Sequence, residues 1–294
     1  MHALTIGEAL ARAQKWLREA GSTSPRLDAE VLLAHALGRD RVYLFRESQH
    51  RLDAKEARVY RDLVERRARG EPVAYLTGHK EFMGLDFIVG PHVLIPRPET
   101  ELMVEYALAM LAGCPPGRRV AVDVGTGSGA VAVSLARLAP GAEVYATDIS
   151  PEALEIARAN AGRHGAPVRF YRGDLLSPLQ GVLPPGSVAV VAANLPYIPS
   201  AEMAGLPRDV RYYEPALALD GGPGGLELYR RLVPGAGELL APGGHLLVEI
   251  APDQKERALE LVPPPRWRST ALPDLAGRPR LIVAQKKGDG KPVL

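Results

Sequence analysis

Residues 188–200 read Val-Ala-Val-Val-Ala-Ala-Asn-Leu-Pro-Tyr-Ile-Pro-Ser, so six small or β-branched apolar residues run straight into an amide, a rigid turn and an aromatic ring. Asparagine occurs only twice in the 294 residues, as Asn160 and Asn194, which makes a polar amide at the end of a buried strand a candidate for chemistry. The Asn194 side-chain carbonyl can accept a hydrogen bond from an NH2 group, and the main-chain carbonyl of Leu195 can accept a second. Pro196 disfavours the helical conformation for Leu195, keeping the turn extended and that carbonyl open. Tyr197 is expected to cover the planar group. An amide nitrogen is a poor nucleophile because its lone pair is delocalised. Two acceptors that hold both of its hydrogens aim the nitrogen at an electrophile and favour the pyramidal geometry of transfer. No strong base is needed, since the proton leaves after the new bond has formed. The competing role for Asn194 is a simple turn cap.

A second constellation lies upstream, in Val-Ala-Val-Asp-Val-Gly-Thr-Gly-Ser-Gly-Ala at 120–130. Gly125, Thr126, Gly127, Ser128 and Gly129 sit between a strand and a helix, where missing side chains let backbone amides approach a ligand closely. About 20 residues on, Asp148, followed by Ile149, ends the next strand, where a carboxylate can take both hydroxyls of an adenosine ribose. Asp174 and Leu175 follow the strand after that. The glycine spacing also satisfies a dinucleotide fingerprint. The extra Gly129 and an antiparallel hairpin at the end of the chain count against a nicotinamide cofactor and favour S-adenosylmethionine, leaving S-adenosylhomocysteine as product.

The elements that must position these residues alternate from Glu99 onward. Helices are expected over 99–112, 151–164 and 226–240, with a glycine loop and helix over 125–138, and strands over 119–124, 143–147, 167–171, 188–193 and 245–250. Residues 266–285 hold two strands joined by a connection too short for a crossover helix, so they pair antiparallel. The fold class is therefore α/β: a seven-stranded, mostly parallel, doubly wound sheet ending in an antiparallel hairpin. In such a sheet ligands bind beyond the carboxyl ends of the strands, so Asn194 and the glycine loop should share one crevice.

Ahead of the sheet, residues 1–71 read as a small helical bundle. Thr5 with Glu8 and Asp53 with Glu56 have capping-box spacing, and Ile6, Leu10, Ala13 and Leu17, then Leu27, Val31, Leu32, Ala34 and Leu37, form apolar stripes. Residues 72–98 read as a β-hairpin linker, residues 99–287 as the catalytic domain and residues 288–294 as a frayed tail.

Lys and Arg number 36 against 34 Asp and Glu, a net charge of +2, which lacks the electrostatic footprint of a protein gripping many phosphates. The basic run from Arg58 to Gly70 reads as the solvated face of a helix. Cys114 is the only cysteine, which excludes a disulfide framework and a thiolate zinc site and is consistent with a reducing cytoplasm. His79 and His92 lack a third ligand at metal-binding spacing. Residues 1–21 carry charges at helical spacing where a secretion signal needs an apolar run. The uncharged stretch from Gly181 to Ala201 is interrupted by Pro184, Pro185, Pro196 and Pro199, which excludes a membrane-spanning helix.

Taken with Leu94–Glu101 (LIPRPETE), Asp123–Gly129 (DVGTGSG), Ala146–Ser150 (ATDIS), Asn194–Ile198 (NLPYI), Tyr213–Arg230 (YEPALALDGGPGGLELYR) and the closing GRPRLIV, the chain resembles the bacterial peptide chain release factor glutamine N5-methyltransferases, the HemK-like family, over nearly its whole length. The resemblance implies that Gly125, Gly127, Gly129 and Asp148 bind S-adenosylmethionine, with Asp174 and Leu175 near the adenine. It implies that Asn194 to Tyr197 clamp the glutamine of the Gly-Gly-Gln loop of class I release factors, and that the helical domain docks the factor. Leu195 replaces the first proline of the family's Asn-Pro-Pro-Tyr, which keeps the backbone acceptor but reduces rigidity. Leu175 stands where some relatives carry an aromatic. Two other readings compete. An adenine N6-methyltransferase acting on DNA or RNA would present a similar NH2 group to the same clamp, and a non-catalytic adaptor would bind the nucleoside without turnover.

Overall fold

The computed structural model describes residues 4–288, so all of the expected tail except Gly288 lies outside the described residues. Two compact units are present: one comprises the residues up to His79 together with Pro207–Tyr213, the other Lys80–Leu206 together with the residues from Glu214 onward.

In the helical unit, α1 (Ile6–Glu19) opens with the expected capping box: Glu8 N–H donates to Thr5 Oγ1 at 3.2 Å, and Thr5 N–H to Glu8 Oε2 at 2.9 Å. Its buried stripe contains Ile6, Leu10, Ala13 and Leu17. Helix α2 (Pro25–Leu37) ends at Gly38 in the left-handed conformation. Leu27, expected inward, is exposed, and the buried face instead carries Asp28 and Glu30. Both carboxylates are paired, Asp28 with Arg67 at 2.7 Å and Glu30 with Arg26 and Arg41. Then come α3 (Arg41–Arg46), α4 (Ala54–Ala68, with the second capping box) and α5 (Val73–Thr77). Helices of six and five residues are too short to show a periodic stripe, so α3 and α5 were not foreseen.

The structure does not keep residues 72–98 as a separate linker. Leu76 on α5 joins the helical core. The hairpin of β1 (His79–Phe82) and β2 (Leu85–Ile88) instead carries Phe82 and Phe87, buried edge to face with centroids 6.1 Å apart, and Phe87 meets His164 of the sheet unit. The segment's apolar side chains are divided between two cores.

The sheet unit continues with α6 (Pro98–Ala112), β3 (Val120–Val124), α7 (Ala130–Leu138), β4 (Glu143–Asp148), α8 (Pro151–His164), β5 (Val168–Arg172) and β6 (Val188–Ala193). The chain then passes through α9 (Arg208–Tyr213), which belongs to the helical unit and was not expected there. It returns as α10 (Glu227–Leu239), β7 (Leu240–Glu249), α11 (Lys255–Leu259), β8 (Trp267–Pro273) and β9 (Pro279–Lys286). Strand β7 starts earlier than predicted because the Ala241–Gly244 segment is absorbed in a register shift, Val188 pairing with Leu240 and Val190 with His245.

The seven strands run in the order β5-β4-β3-β6-β7-β9-β8, parallel except for the pairings of β9 with β7 and β8. All six residues of β6 are buried, which explains its run of small and β-branched side chains. The order of winding reverses between β3 and β6, where Val124 pairs with Ala193. Gly125 and Asn194, the next residue on each strand, therefore emerge side by side at the switch point, where open α/β sheets bind ligands.

At the end of β3, buried Asp123 fastens the following turn: its Oδ2 accepts Thr126 Oγ1–H at 2.7 Å and Ala132 N–H at 3.1 Å. Burial pushes its carboxyl up to about 7 from 3.8 against the pull of these two bonds, with the nearby Asp148 adding repulsion. Because the folded value lies above the unfolded one, the stability this group contributes is full below 3.8 and is lost as pH rises through about 7. Asp123→Asn keeps an acceptor and cannot ionise. Its stability relative to wild type should therefore rise by on the order of a few kcal/mol between acidic and mildly alkaline buffer. Ligand-free denaturant melts at both pH values check this, and a constant difference would contradict it.

Candidate active site

Beyond the ends of β3, β4 and β6 lies a cavity of about 420 Å³, within the roughly 300–1,000 Å³ of small-molecule sites. Gly125, Thr126, Gly127, Ser128, Asp148, Ile149, Asp174, Leu175, Asn194, Leu195 and Pro196 all line it, so most of the residues singled out from sequence converge on one space. Two do not. Gly129 begins α7 with its Cα facing α8; an added Cβ would lie 3.1 Å from Ala157 Cβ, so this glycine allows close helix packing and does not contact the cavity. Tyr197 is turned away from the wall, its hydroxyl donating to Glu249 Oε1 at 3.3 Å and its carbonyl accepting Gln254 Nε2–H at 2.6 Å. The ring expected to cover a substrate serves in this structure to fasten the loop.

Asp148 holds the glycine loop. Its Oδ2 accepts Gly127 N–H at 2.8 Å and its Oδ1 accepts Ser150 N–H at 2.9 Å. Burial raises its pKa while these main-chain bonds lower it. Each carboxylate oxygen retains a lone pair for a ligand hydroxyl. Gly125 is required by its neighbour as much as by any ligand: with φ +72°, a Cβ there would stand 2.7 Å from Leu195 Cδ2. A Cβ at Gly127 would meet nothing, because that position opens onto the cavity. An apolar-walled cleft with a carboxylate at one strand end and a glycine loop at the next has the donors and space that a ribose and its attached amino acid need. Asp174 pairs with Arg231, and Leu175 adopts φ +50°, an uncommon conformation for leucine, at the cavity wall.

Asn194 stands in a network that joins three elements. Its Nδ2 donates to Thr100 Oγ1 at 3.0 Å, and Thr100 Oγ1–H donates to Glu249 Oε2 at 2.7 Å. Thr100 lies in the first turn of α6 and Glu249 ends β7, and both are buried. The next residue is anchored from below: Leu195 N–H donates to the Tyr229 hydroxyl at 3.2 Å. That hydroxyl has one hydrogen, and the Glu249 carbonyl at 2.5 Å is a closer acceptor than the Leu195 carbonyl at 3.2 Å. The Leu195 carbonyl is therefore the weaker of the hydroxyl's two acceptors, and a carbonyl oxygen carries two lone pairs.

The loop is clamped from its far side by residues 219–222. Ile198 N–H donates to Leu219 O at 3.1 Å and Gly221 N–H to Ile198 O at 2.8 Å. A Cβ on Gly221 would lie 2.6 Å from Pro196 O and 2.8 Å from Tyr197 Cα. Glu214 completes the frame, accepting Ile95 N–H at 3.1 Å and pairing with Arg97. The sequence marks the LIPRPETE and YEPALALDGGPGGLELYR segments without assigning roles to Thr100, Glu214, Gly221 or Tyr229, and it gives no sign of Glu249 or Gln254. Tyr229 and Glu249 sit in ordinary helix and strand patterns that give no local signal. The other asparagine also has a positioning role: Asn160 is buried, accepts Ile88 N–H, and donates to Ile88 O and to Ser128 O of the glycine loop.

Residues 8–78 match the PrmC N-terminal domain and residues 121–211 a methyltransferase domain. The chain is 46% identical to the release factor glutamine methyltransferase of Moorella thermoacetica, over 97% of this chain and 99% of that one. It is 43% identical to the enzyme of the same name from Koribacter versatilis, over 96% and 99%. Among solved structures, the hMettl16 catalytic domain in complex with MAT2A 3'UTR hairpin 6 aligns with a TM-score of 0.55 over 76% of this chain and 82% of that one. At 15% identity, that likeness speaks for the fold alone. With two relatives of this identity matched end to end, the chain belongs to the release factor glutamine methyltransferases.

Proposed function

We propose that this enzyme transfers a methyl group from S-adenosylmethionine to the side-chain amide nitrogen (N5) of the glutamine in the Gly-Gly-Gln loop of class I peptide chain release factors. The observation that carries this reading is that Asn194 and Leu195 line the cavity at a strand end that adjoins the glycine loop, where the Asn194 Oδ1 and the Leu195 carbonyl are the two acceptors the reading assigns.

In this reading Asp148 receives the ribose hydroxyls, Gly125 to Ser128 line the path of the attached amino acid, and Asp174 and Leu175 flank the adenine. S-adenosylmethionine, when bound, supplies an electrophilic methyl on a sulfonium. The remaining work belongs to the chain. Asn194 Oδ1 and Leu195 O each accept one N–H of the glutamine amide, which turns the nitrogen lone pair toward the cofactor side of the cavity. Pro196 and the Gly221 contact keep the two acceptors in place. The surrounding apolar wall excludes water, which strengthens both hydrogen bonds. The proton left on nitrogen is lost after transfer, so no base of shifted pKa is needed beside Asn194.

The helical unit is the docking element for the release factor in this reading, and Val42 and Phe45 on α3 offer it exposed apolar side chains, 68% and 54% accessible. Among the described residues no helix is long and apolar enough to cross a membrane; the cytoplasmic setting belongs to this reading through its substrate, a protein of the translation machinery.

Three outcomes are expected. Asn194→Ala should lose methyl transfer by on the order of 10²–10³-fold while keeping cofactor affinity, measured with labelled S-adenosylmethionine and purified release factor. Near-normal turnover, or label on adenine in nucleic acid instead, would remove the clamp reading or the substrate assignment respectively. Asp148→Ala should weaken cofactor binding in calorimetry, and unchanged affinity would exclude it from the ribose site. Gly221→Ala should depress turnover more than cofactor affinity, because its methyl displaces the Pro196 and Tyr197 backbone.

A further inference from the structure

A carboxamide is nearly symmetric in shape but opposite in polarity at its two ends, and its terminal torsion has two nearly equal wells. A clamp built on Asn194 works only if the oxygen, and not the NH2, faces the substrate. We infer that Thr100 and Glu249 are positioning residues that set this orientation, an inference that rests on the reading of Asn194 as an acceptor.

The logic runs outward from the carboxylate. Ionised Glu249 can only accept, so the Thr100 hydroxyl must give its single hydrogen to Oε2, 2.7 Å away. The Thr100 oxygen is then left with lone pairs only, and at 3.0 Å from Asn194 it accepts from Nδ2. With Nδ2 so engaged, Oδ1 is turned to the opposite side. The orientation is thus dictated by a group two bonds removed from the amide. The other oxygen of Glu249 is occupied by the Tyr197 hydroxyl at 3.3 Å, so the same carboxylate fastens both ends of the Asn194–Tyr197 loop.

The network has a state in which it fails. Burial raises the Glu249 pKa above 4.5; Arg280 on β9 and the Thr100 and Tyr197 hydroxyls oppose that rise, and Glu99 on α6 adds to it. Tyr229 of α10 faces the main-chain carbonyl of the same residue. Once protonated, Glu249 can donate to Thr100, which frees the threonine hydrogen for Asn194 and brings Nδ2 round to face the substrate NH2. Two donors then oppose each other. Because the folded pKa lies above the ordinary value, the productive polarity is present above that raised value and is lost on acidification through it.

The test uses the full-length enzyme with purified release factor. Thr100→Val removes the acceptor, and Glu249→Gln mimics the protonated acid. Each should lower kcat by on the order of ten- to a hundredfold, with a smaller change in KM and with cofactor affinity by calorimetry within about twofold of wild type. Thr100→Ser, which keeps the hydroxyl, should restore kcat. The acid limb of the wild-type kcat profile should be absent from Glu249→Gln. Asn194→Ala, with and without Thr100→Val, separates the two levels of argument. If Thr100 acts through Asn194, adding Thr100→Val to Asn194→Ala costs nothing more. Retained turnover in Asn194→Ala overturns the clamp itself. An inactive Asn194→Ala beside an unimpaired Thr100→Val, an additive double variant, or a Thr100→Ser that fails to recover activity while melting like wild type overturns the positioning role alone.

Discussion

The polarity of one amide is the constraint on which the site depends. A carboxylate is the only side chain that, when ionised, accepts at both oxygens and never donates, so it can impose a direction on a chain of hydrogen bonds. Glu249 does so from the end of β7, Thr100 relays the direction from the first turn of α6, and Asn194 delivers it at the end of β6. A carboxylate only 2% exposed is costly to keep charged. Two hydroxyl donors and the Arg280 charge offset part of that cost, and a rigid, correctly turned acceptor is what the arrangement yields. The same residue's backbone carbonyl receives the Tyr229 hydroxyl, so one position of β7 governs the amide, the tyrosine of the loop and the support beneath Leu195.

Leu195 shows how the chain replaces one source of rigidity with others. Its side chain is buried in the sheet core and presses on Gly125, and its N–H donates to Tyr229, a bond that a proline at this position cannot make. Packing and a hydrogen bond thus do here what ring closure does elsewhere. The contact also couples the two halves of the site. The glycine loop keeps its shape because Leu195 fills the space above Gly125, and the Asn194 turn keeps its shape because that space is filled.

The fold was largely legible because its signals are local. Capping boxes at Thr5 and Asp53, the six-residue apolar run of β6, the glycine loop and a connection too short for a crossover each declare an element within a few residues. The crevice was legible too, since topology alone places Gly125 beside Asn194. What escaped was long-range or short-lived along the chain. Helices α3 and α5 are too brief for periodicity, and α9 lies far in sequence from the unit it joins. The span 72–98 has the texture of a linker although its apolar side chains belong to two cores. Glu249 falls inside the strand expected over 245–250, and nothing near it announces a partner 149 residues away. Tyr197 was placed over the substrate because aromatic rings cover planar groups; the presence of a buried carboxylate within reach of its hydroxyl, invisible in sequence, decides its orientation instead.

Two carbonyl acceptors select an NH2 group but do not distinguish a glutamine amide from the amino group of adenine, because both offer two coplanar hydrogens. The sheet does not decide between them either, since a fold of this kind does not fix what is bound at its switch point. Discrimination must therefore come from whatever presents the NH2 group to the clamp. Nucleic acid is held by neutralising phosphates, and a chain carrying 36 basic against 34 acidic side chains offers little net attraction. A protein loop needs no such field. It needs an apolar and shape-specific contact, and the helical unit's α3, with Val42 and Phe45 exposed, has that character. In the proposed reading, substrate choice and methyl transfer therefore fall to different parts of the chain: the acceptors at Asn194 and Leu195 to the chemistry, and the helical unit to recognition of the protein substrate.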